Sequence, residues 1–275
     1  MREKGVRRRP GAPLRTLNEI MVELAADLKS KRKPKRSWLY RTGKRMRPWF
    51  DQALARSSAV GNPPVFDKAT FPWTAELERR WAPIRAEALR ALEHEDIPVL
   101  EDISPDHSRL GKDRKWKSFF LYGYGYRVED NCRKCPEAAR VVSEIPGLNS
   151  AFFSILAPGA RIPRHRGVTK CIITCHLGLI VPNDWRKCRM AVDDQMVHWR
   201  EGECLVFDDT YYHEVWNETD ETRVVLLVQF ERPMRQPGRA IGRAFMGAVR
   251  RSPFVQEARR NFLNWQGAQN RLDGH

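Results

Sequence analysis

Between Asn149 and Met234 the chain alternates short apolar runs with turns, and this pattern limits the fold more than any other feature. The runs fall at 151–156, 171–181, 188–192, 204–207 and 223–230, with Gly, Pro, Asn and Asp between them. Most are too short for ordinary helices, and their regular recurrence predicts a sandwich or barrel. The expected fold class is mainly β: a double-stranded β-helix (jelly-roll, cupin-like) core with flanking α-helices. No internal repeat accompanies it.

The flanks are read from their punctuation. Thr74 is placed to cap a helix from Ala75 to Leu92, with Leu77, Trp81, Ile84, Ala88 and Leu92 as its buried stripe and Pro83 as a kink. Residues 41–70 read as loop, broken at Gly61-Asn62-Pro63-Pro64. Trp116 to Tyr124 reads as an aromatic-rich strand, and Pro136 to Ile145 as a short helix closed by Pro146-Gly147. Beyond Gly238 the tail is basic and mostly helical, with Ser252-Pro253 opening a last helix through Trp265. Three regions result: an arm over 1–47, a jelly-roll domain over 64–236 and an extension over 237–275.

Charge separates the arm from the rest. Residues 1–47 hold 16 Lys and Arg against 4 Asp and Glu, whereas residues 48–275 hold 33 against 30. Within the arm, Thr16 to Leu28 reads as an amphipathic helix with a capping-box start at Thr16 and Glu19. Its polar face carries Glu19, Glu23 and Asp27, which weakens a membrane-surface reading. An anionic lipid surface, nucleic acid or a solvated tail all fit the arm's charge. No run of about 18 apolar residues exists to span a membrane, and no apolar segment follows the basic start as in a secretory signal. The expected location is the cytoplasm, with peripheral contact at the inner membrane surface through the arm. The six cysteines, at 132, 135, 171, 175, 188 and 204, read as thiols, because the lone Cys132-Arg133-Lys134-Cys135 lacks a second ligand pair for zinc.

Two histidines carry the chemistry. His165 follows an expected strand end in a loop opened by Pro163 and Gly167, and His213 precedes the strand-like Glu214-Val215-Trp216. Their separation of 48 residues suits ligands on two strands of one jelly roll. Non-haem Fe(II) sites commonly use two histidines and a carboxylate. The usual carboxylate position, two residues after the first histidine, holds Gly167. The third ligand then comes from elsewhere or is water. Arg223, ten residues after His213, is placed to grip the distal carboxylate of 2-oxoglutarate. Singly these signals are weak, since a lone histidine is more often a surface or core residue than a ligand. The acidic pair Asp208-Asp209 reads as support for the turn into His213 rather than as a metal site.

The ordered segments Trp116-Lys117-Ser118-Phe119, Cys135-Pro136, Ile145-Pro146-Gly147, Phe153-Ser154-Ile155-Leu156 and Pro158-Gly159 continue through His165-Arg166-Gly167 and His176-Leu177-Gly178-Leu179. They go on to Trp199-Arg200-Glu201-Gly202, Phe207-Asp208-Asp209-Thr210, His213-Glu214-Val215-Trp216, Arg223 and Arg232-Pro233. Over Pro64 to Met234 the chain thereby resembles the aspartyl/asparaginyl β-hydroxylase family, which includes bacterial lipid A fatty-acyl 2-hydroxylases. The resemblance implies an Fe(II)- and 2-oxoglutarate-dependent dioxygenase whose iron is held by two histidines and no carboxylate, here His165 and His213. It implies Arg223 and Ser154 at the distal carboxylate of 2-oxoglutarate, His176 near its other end and Trp116 by the site wall.

One departure from the family pattern stands out. Thr174 occupies the position of a family arginine that helps hold the 1-carboxylate end, with Lys170 or Arg164 as candidates to compensate. Gln229 also stands where relatives often have an aspartate. With oxygen and 2-oxoglutarate as co-reactants, the substrate reading leans to the β-carbon of an aspartyl, asparaginyl or carrier-bound amino acid. A lipid acyl chain at a membrane surface is the alternative. Two rivals of other classes are a non-catalytic jelly-roll binding module, motivated by Thr174, and a nucleic-acid-binding protein, motivated by the arm; nucleic acid is not the expected partner.

Overall fold

The computed structural model describes residues 49–94, 97–103, 114–253 and 255–261, all within the second of the two units into which the chain divides, Pro48–His275. The arm and its amphipathic helix, and the chain beyond residue 261, lie outside the described residues.

Eleven strands are named: β1 (Val65–Phe66), β2 (Trp116–Gly123), β3 (Tyr126–Arg127), β4 (Leu148–Leu156), β5 (Arg161–His165), β6 (Ile172–Ile180), β7 (Cys188–Val192), β8 (Gln195–His198), β9 (Cys204–Phe207), β10 (His213–Asn217) and β11 (Arg223–Glu231). They form two antiparallel sheets, a seven-stranded one in the order β1-β9-β6-β11-β4-β2-β3 and a four-stranded one in the order β5-β10-β7-β8. Chain neighbours are repeatedly split between sheets, as a jelly roll requires: β4 and β6 belong to the large sheet while β5 between them belongs to the small one.

Side-chain alternation sorts the core into two layers. On the large sheet Phe153, Ile155, Ile173, Cys175, Leu177, Val224, Leu226 and Val228 face outward into a cluster with the helices. Those helices are α1 (Thr74–Arg79), α2 (Trp81–His94), α4 (Glu129–Lys134) and α5 (Pro136–Ser143); a short α3 (Leu100–Ile103) follows α2. The opposite positions, Trp116, Leu156, Phe207 and Val225, meet Ile162, Met190, Val192 and Val215 of the small sheet in a second cluster. Both faces of β6 and β11 are thus covered, which is why each reads as an almost unbroken apolar run. The polar residues that interrupt these runs point between the sheets.

Several local expectations are corrected. The helix foreseen from Ala75 to Leu92 is two helices, α1 and α2, with Thr74 inside the first rather than ahead of it. The break at Arg80 lets α2 restart at Trp81, so Pro83 sits in a first turn where its missing N–H costs nothing, and no kink is needed. The stripe holds: Leu77, Ile84 and Ala88 are buried and Trp81 and Leu92 pack beside them. Residues 49–57, read as loop, are helical; Leu54 alone is buried there, packing near Met246 of α6 (Gly238–Arg250). His165 ends a strand instead of following one, and β1, β3 and β8 are short edge or near-edge strands that the sequence reading omits. The six thiols are free and buried, as expected.

Candidate active site

His165, the last residue of β5, and His213, the first of β10, are direct cross-strand partners. Their ring centroids lie 4.1 Å apart. Each ring is fixed by its own local carbonyl: His165 Nδ1 bonds Pro163 O at 2.8 Å and His213 Nδ1 bonds Tyr211 O at 3.0 Å. A carbonyl can only accept, so both Nδ1 atoms carry the hydrogen and both Nε2 atoms keep a lone pair. Burial pushes His165 below the ordinary histidine range, and burial together with His165 pushes His213 down to about 4. Two neutral imidazoles with oriented Nδ1–H groups form a metal-ready donor pair. Among the described residues no third His, Cys, Asp or Glu completes a metal cage with them.

The carboxylate missing at Gly167 has a counterpart in space. A Cβ on Gly167 would overlap the carboxylate of Asp209, and Gly167 N donates to Asp209 O at 2.6 Å. Asp209 is partly buried, and loss of solvent around its carboxyl together with the neighbouring Asp208 pushes it up to about 7. Thr174 Oγ1 reaches the same carboxylate at 3.4 Å, so the position at which the resemblance implies an arginine faces Asp209. Asp208 behaves otherwise. Burial alone would raise it, but Arg232 at 2.5 Å and Lys170 at 2.6 Å hold it below its usual value. Asp208 also accepts from Thr210 N and Oγ1, which makes it the turn support foreseen. Lys170 is committed to Asp208 and to the face of Tyr211. Arg164 lies over Tyr212.

Deeper between the sheets, Arg223, Ser154, His176 and Trp116 gather on the inner face of the large sheet. Arg223 is 1 % exposed, its guanidinium lies 4.8 Å over the Trp199 ring, and its Nε has no partner. Burial pushes it down to about 10. Trp199 Nε1 donates to His176 Nδ1 at 3.1 Å, which leaves the hydrogen of a neutral His176 on Nε2, and that buried atom is also unpartnered. Burial, then Arg223 and His213, hold His176 well below the usual range, so it stays neutral. Trp116 Nε1 donates to Ser154 Oγ at 2.9 Å, freeing the serine hydrogen to donate onward. Buried donors without acceptors cost free energy, and grouping them makes sense only if a ligand supplies the acceptors.

Trp199 stands in one of the segments that carry the resemblance, but sequence reasoning gave it no role. It anchors both Arg223 and His176, yet it lies just after β8 with no periodicity to mark its role. Ser118, the cross-strand partner of Ser154, is another buried hydroxyl without a partner.

Comparison with known proteins settles the kinship. A family model described as aspartyl/asparaginyl β-hydroxylase matches residues 78–233. The chain belongs to this family. An ornithine lipid ester-linked acyl 2-hydroxylase of Rhizobium tropici is 43% identical over 219 residues, covering 79% of this chain and 78% of that protein. The human aspartyl/asparaginyl β-hydroxylase is 31% identical over 166 residues, which is 58% of this chain but 21% of the human one. The human aspartate β-hydroxylase domain-containing protein 2 is 38% identical over 128 residues, covering 43% of this chain and 34% of that protein. The jelly roll and the hydroxylase kinship foreseen from the sequence therefore stand.

Proposed function

We propose that this protein is an Fe(II)- and 2-oxoglutarate-dependent hydroxylase acting on an acyl chain of an ester-linked lipid. The observation that carries the cosubstrate reading is the pair of orphaned buried donors, His176 Nε2 and Arg223 Nε, beside the histidine pair. An acceptor-rich dicarboxylate fits them. Arg223 offers charge-assisted bonds to one carboxylate, with Ser154 as a second donor, and His176 Nε2–H offers a neutral bond.

His165 and His213 would hold the iron through their Nε2 atoms. When bound, Fe(II) supplies oxygen activation coupled to 2-oxoglutarate decarboxylation, which allows attack on an unactivated C–H bond. The protein's own residues do the rest. Trp199 keeps Arg223 and His176 in one orientation, and Trp116 does the same for Ser154. The apolar walls, Trp116, Phe207 and Val225 among them, keep water from the cosubstrate. Asp209, with a carboxyl at about 7, supplies a nearby group able to accept or release a proton near neutrality.

The acyl-chain reading is supported by the Rhizobium relative, which shares identity over most of both chains, whereas the human β-hydroxylase matches this chain over a fifth of its length. The sequence reading placed an amino-acyl substrate first and the acyl chain second; the coverage favours the second. No helix among the described residues is long and apolar enough to cross a membrane.

An anaerobic titration with Fe(II) and then 2-oxoglutarate tests the site. A visible charge-transfer band in wild type and none in His165→Ala is expected. No band in wild type with iron bound would move the non-catalytic binding module forward. Incubation with ester-linked lipids and a mass gain of one oxygen on the acyl chain tests the substrate; oxygen gained only by an aspartyl peptide would overturn it.

A further inference from the structure

The strand end that carries His165 divides its residues between two environments. His165 and Gly167 are partly buried toward the centre, while Arg164, Arg166 and Val168 are exposed. Val168 is 66% exposed, and Tyr212, the residue before His213, is 46% exposed. The guanidinium carbons of Arg164 and Arg166 lie 4.4 and 5.4 Å from the Tyr212 ring centroid. Arg164, Arg166 and Tyr212 thus form one exposed lip beside the histidine pair, and Val168 lies two residues further along the same segment.

The charge on this lip is uncompensated. Arg161 and Arg189 on the same small sheet are paired with Glu214 and Glu218. Among the described residues no carboxylate pairs with Arg164 or Arg166. An arginine pair left open beside an exposed valine and tyrosine combines anion attraction with apolar contact. That combination suits the headgroup layer of a bilayer, where arginine reaches phosphates, tyrosine straddles the boundary and valine reaches the acyl region. It suits a nucleic acid poorly, because guanidinium groups already engage the Tyr212 ring that a base would stack on.

We infer that Arg164, Arg166, Val168 and Tyr212 seat the mouth of the His165–His213 centre on a membrane surface containing anionic phospholipid. The inference rests on the acyl-lipid reading and deepens it: a lipid held by its headgroup at the lip presents its acyl chain to the adjacent histidine pair.

The test uses the full chain, so residues 1–47 and their positive charge are constant in every variant. Binding to phosphatidylcholine vesicles with and without phosphatidylglycerol is measured by flotation. Each arginine in the headgroup layer contributes about fivefold in affinity, so Arg164→Gln with Arg166→Gln is expected to weaken binding to anionic vesicles roughly 25-fold. Unchanged affinity would overturn the proposal. Val168→Cys carrying an environment-sensitive fluorophore gives a second reading, since the six native thiols are all buried. A blue shift on anionic vesicles is expected, and a label that stays in water on vesicle-bound protein would overturn the proposal. So would a short DNA duplex that displaces the vesicles and itself requires both arginines. Wild type that hydroxylates detergent-dispersed lipid yet does not bind anionic vesicles would overturn the lip and leave the hydroxylase reading standing. Docking without any hydroxylated lipid would do the reverse.

Discussion

Gly167 and Asp209 share one space: the glycine lacks a side chain where the aspartate carboxylate lies, and its N–H bonds the Asp209 carbonyl. The position two after His165 carries no carboxylate, and the space beside it is filled by one arriving from another strand connection, four residues before His213. It meets Thr174 rather than a cation. The centre is left with two oriented imidazoles and one acid whose proton is only loosely held near neutral pH.

Gly167→Ala should lower the melting temperature, because the added methyl would overlap the Asp209 carboxylate and force it to shift. Asp209→Ala should recover part of that loss when the two are combined. A double-mutant cycle by thermal unfolding should give a coupling of about 1 kcal/mol or more. Additive losses would show that the two side chains do not compete for the same space.

Asp209 also sets a pH dependence. Its folded value, about 7, lies above the ordinary 3.8, so between those values the folded state binds more protons than the unfolded one. Stability contributed by this group is then full below the ordinary value and falls as pH rises toward 7. Asp209→Asn should remove that loss. In metal-free protein the melting temperature of the variant relative to wild type should climb from pH 4 to about 7 and level off above. His213 acts in the opposite sense, since its depressed value favours the fold as pH rises from about 4 to 6.5, which is why the difference between variant and wild type is the quantity to measure. A flat difference would mean that Asp209 does not titrate in this range.

How much of this was legible beforehand depends on burial. The runs of β6 and β11 announced themselves because both faces are covered, leaving nearly every position apolar. β5 did not, because Pro163 argues against a strand. Pro163 is tolerated because β5 is an edge strand that pairs with β10 alone, so one row of its N–H groups needs no partner. The histidines, Arg223 and Ser154 were found through kinship and spacing, and the topology brings them between the two sheets. The anchoring role of Trp199 and the seat of Asp209 against Gly167 were not legible, since both depend on segments that return from distant sequence to one place. The segment 49–57 was missed because a single buried residue, Leu54, gives no helical stripe.

Thr174→Arg tests the family departure directly. Thr174 is 2% exposed and faces Asp209, so an arginine there would meet a carboxylate already in place. The pair should hold Asp209 ionised and add a cation at the cosubstrate's 1-carboxylate end. Expected are a lower 2-oxoglutarate requirement and loss of the pH-dependent stability difference described for Asp209→Asn. Weaker cosubstrate binding would mean that the cavity has been rebuilt around the smaller side chain.

Arg223 offers the sharpest separation of stability from function. It is almost fully buried, its Nε is unpartnered, and its contacts are the Trp199 ring and a long bond of 3.4 Å to Ser154 O. A buried cation without a counter-ion is costly, and replacing it with an apolar side chain of similar length removes that cost. Arg223→Met should therefore raise the melting temperature of ligand-free protein, by about 1 kcal/mol or more of stability. The same change should abolish the additional stabilisation that 2-oxoglutarate gives wild type, because binding to the folded state alone is what raises its stability. Differential scanning fluorimetry with and without the cosubstrate reads both effects in one experiment. A variant that is destabilised without ligand would show that Arg223 is held by structure rather than kept for a carboxylate. A variant still stabilised by 2-oxoglutarate would place the cosubstrate's distal end on another residue.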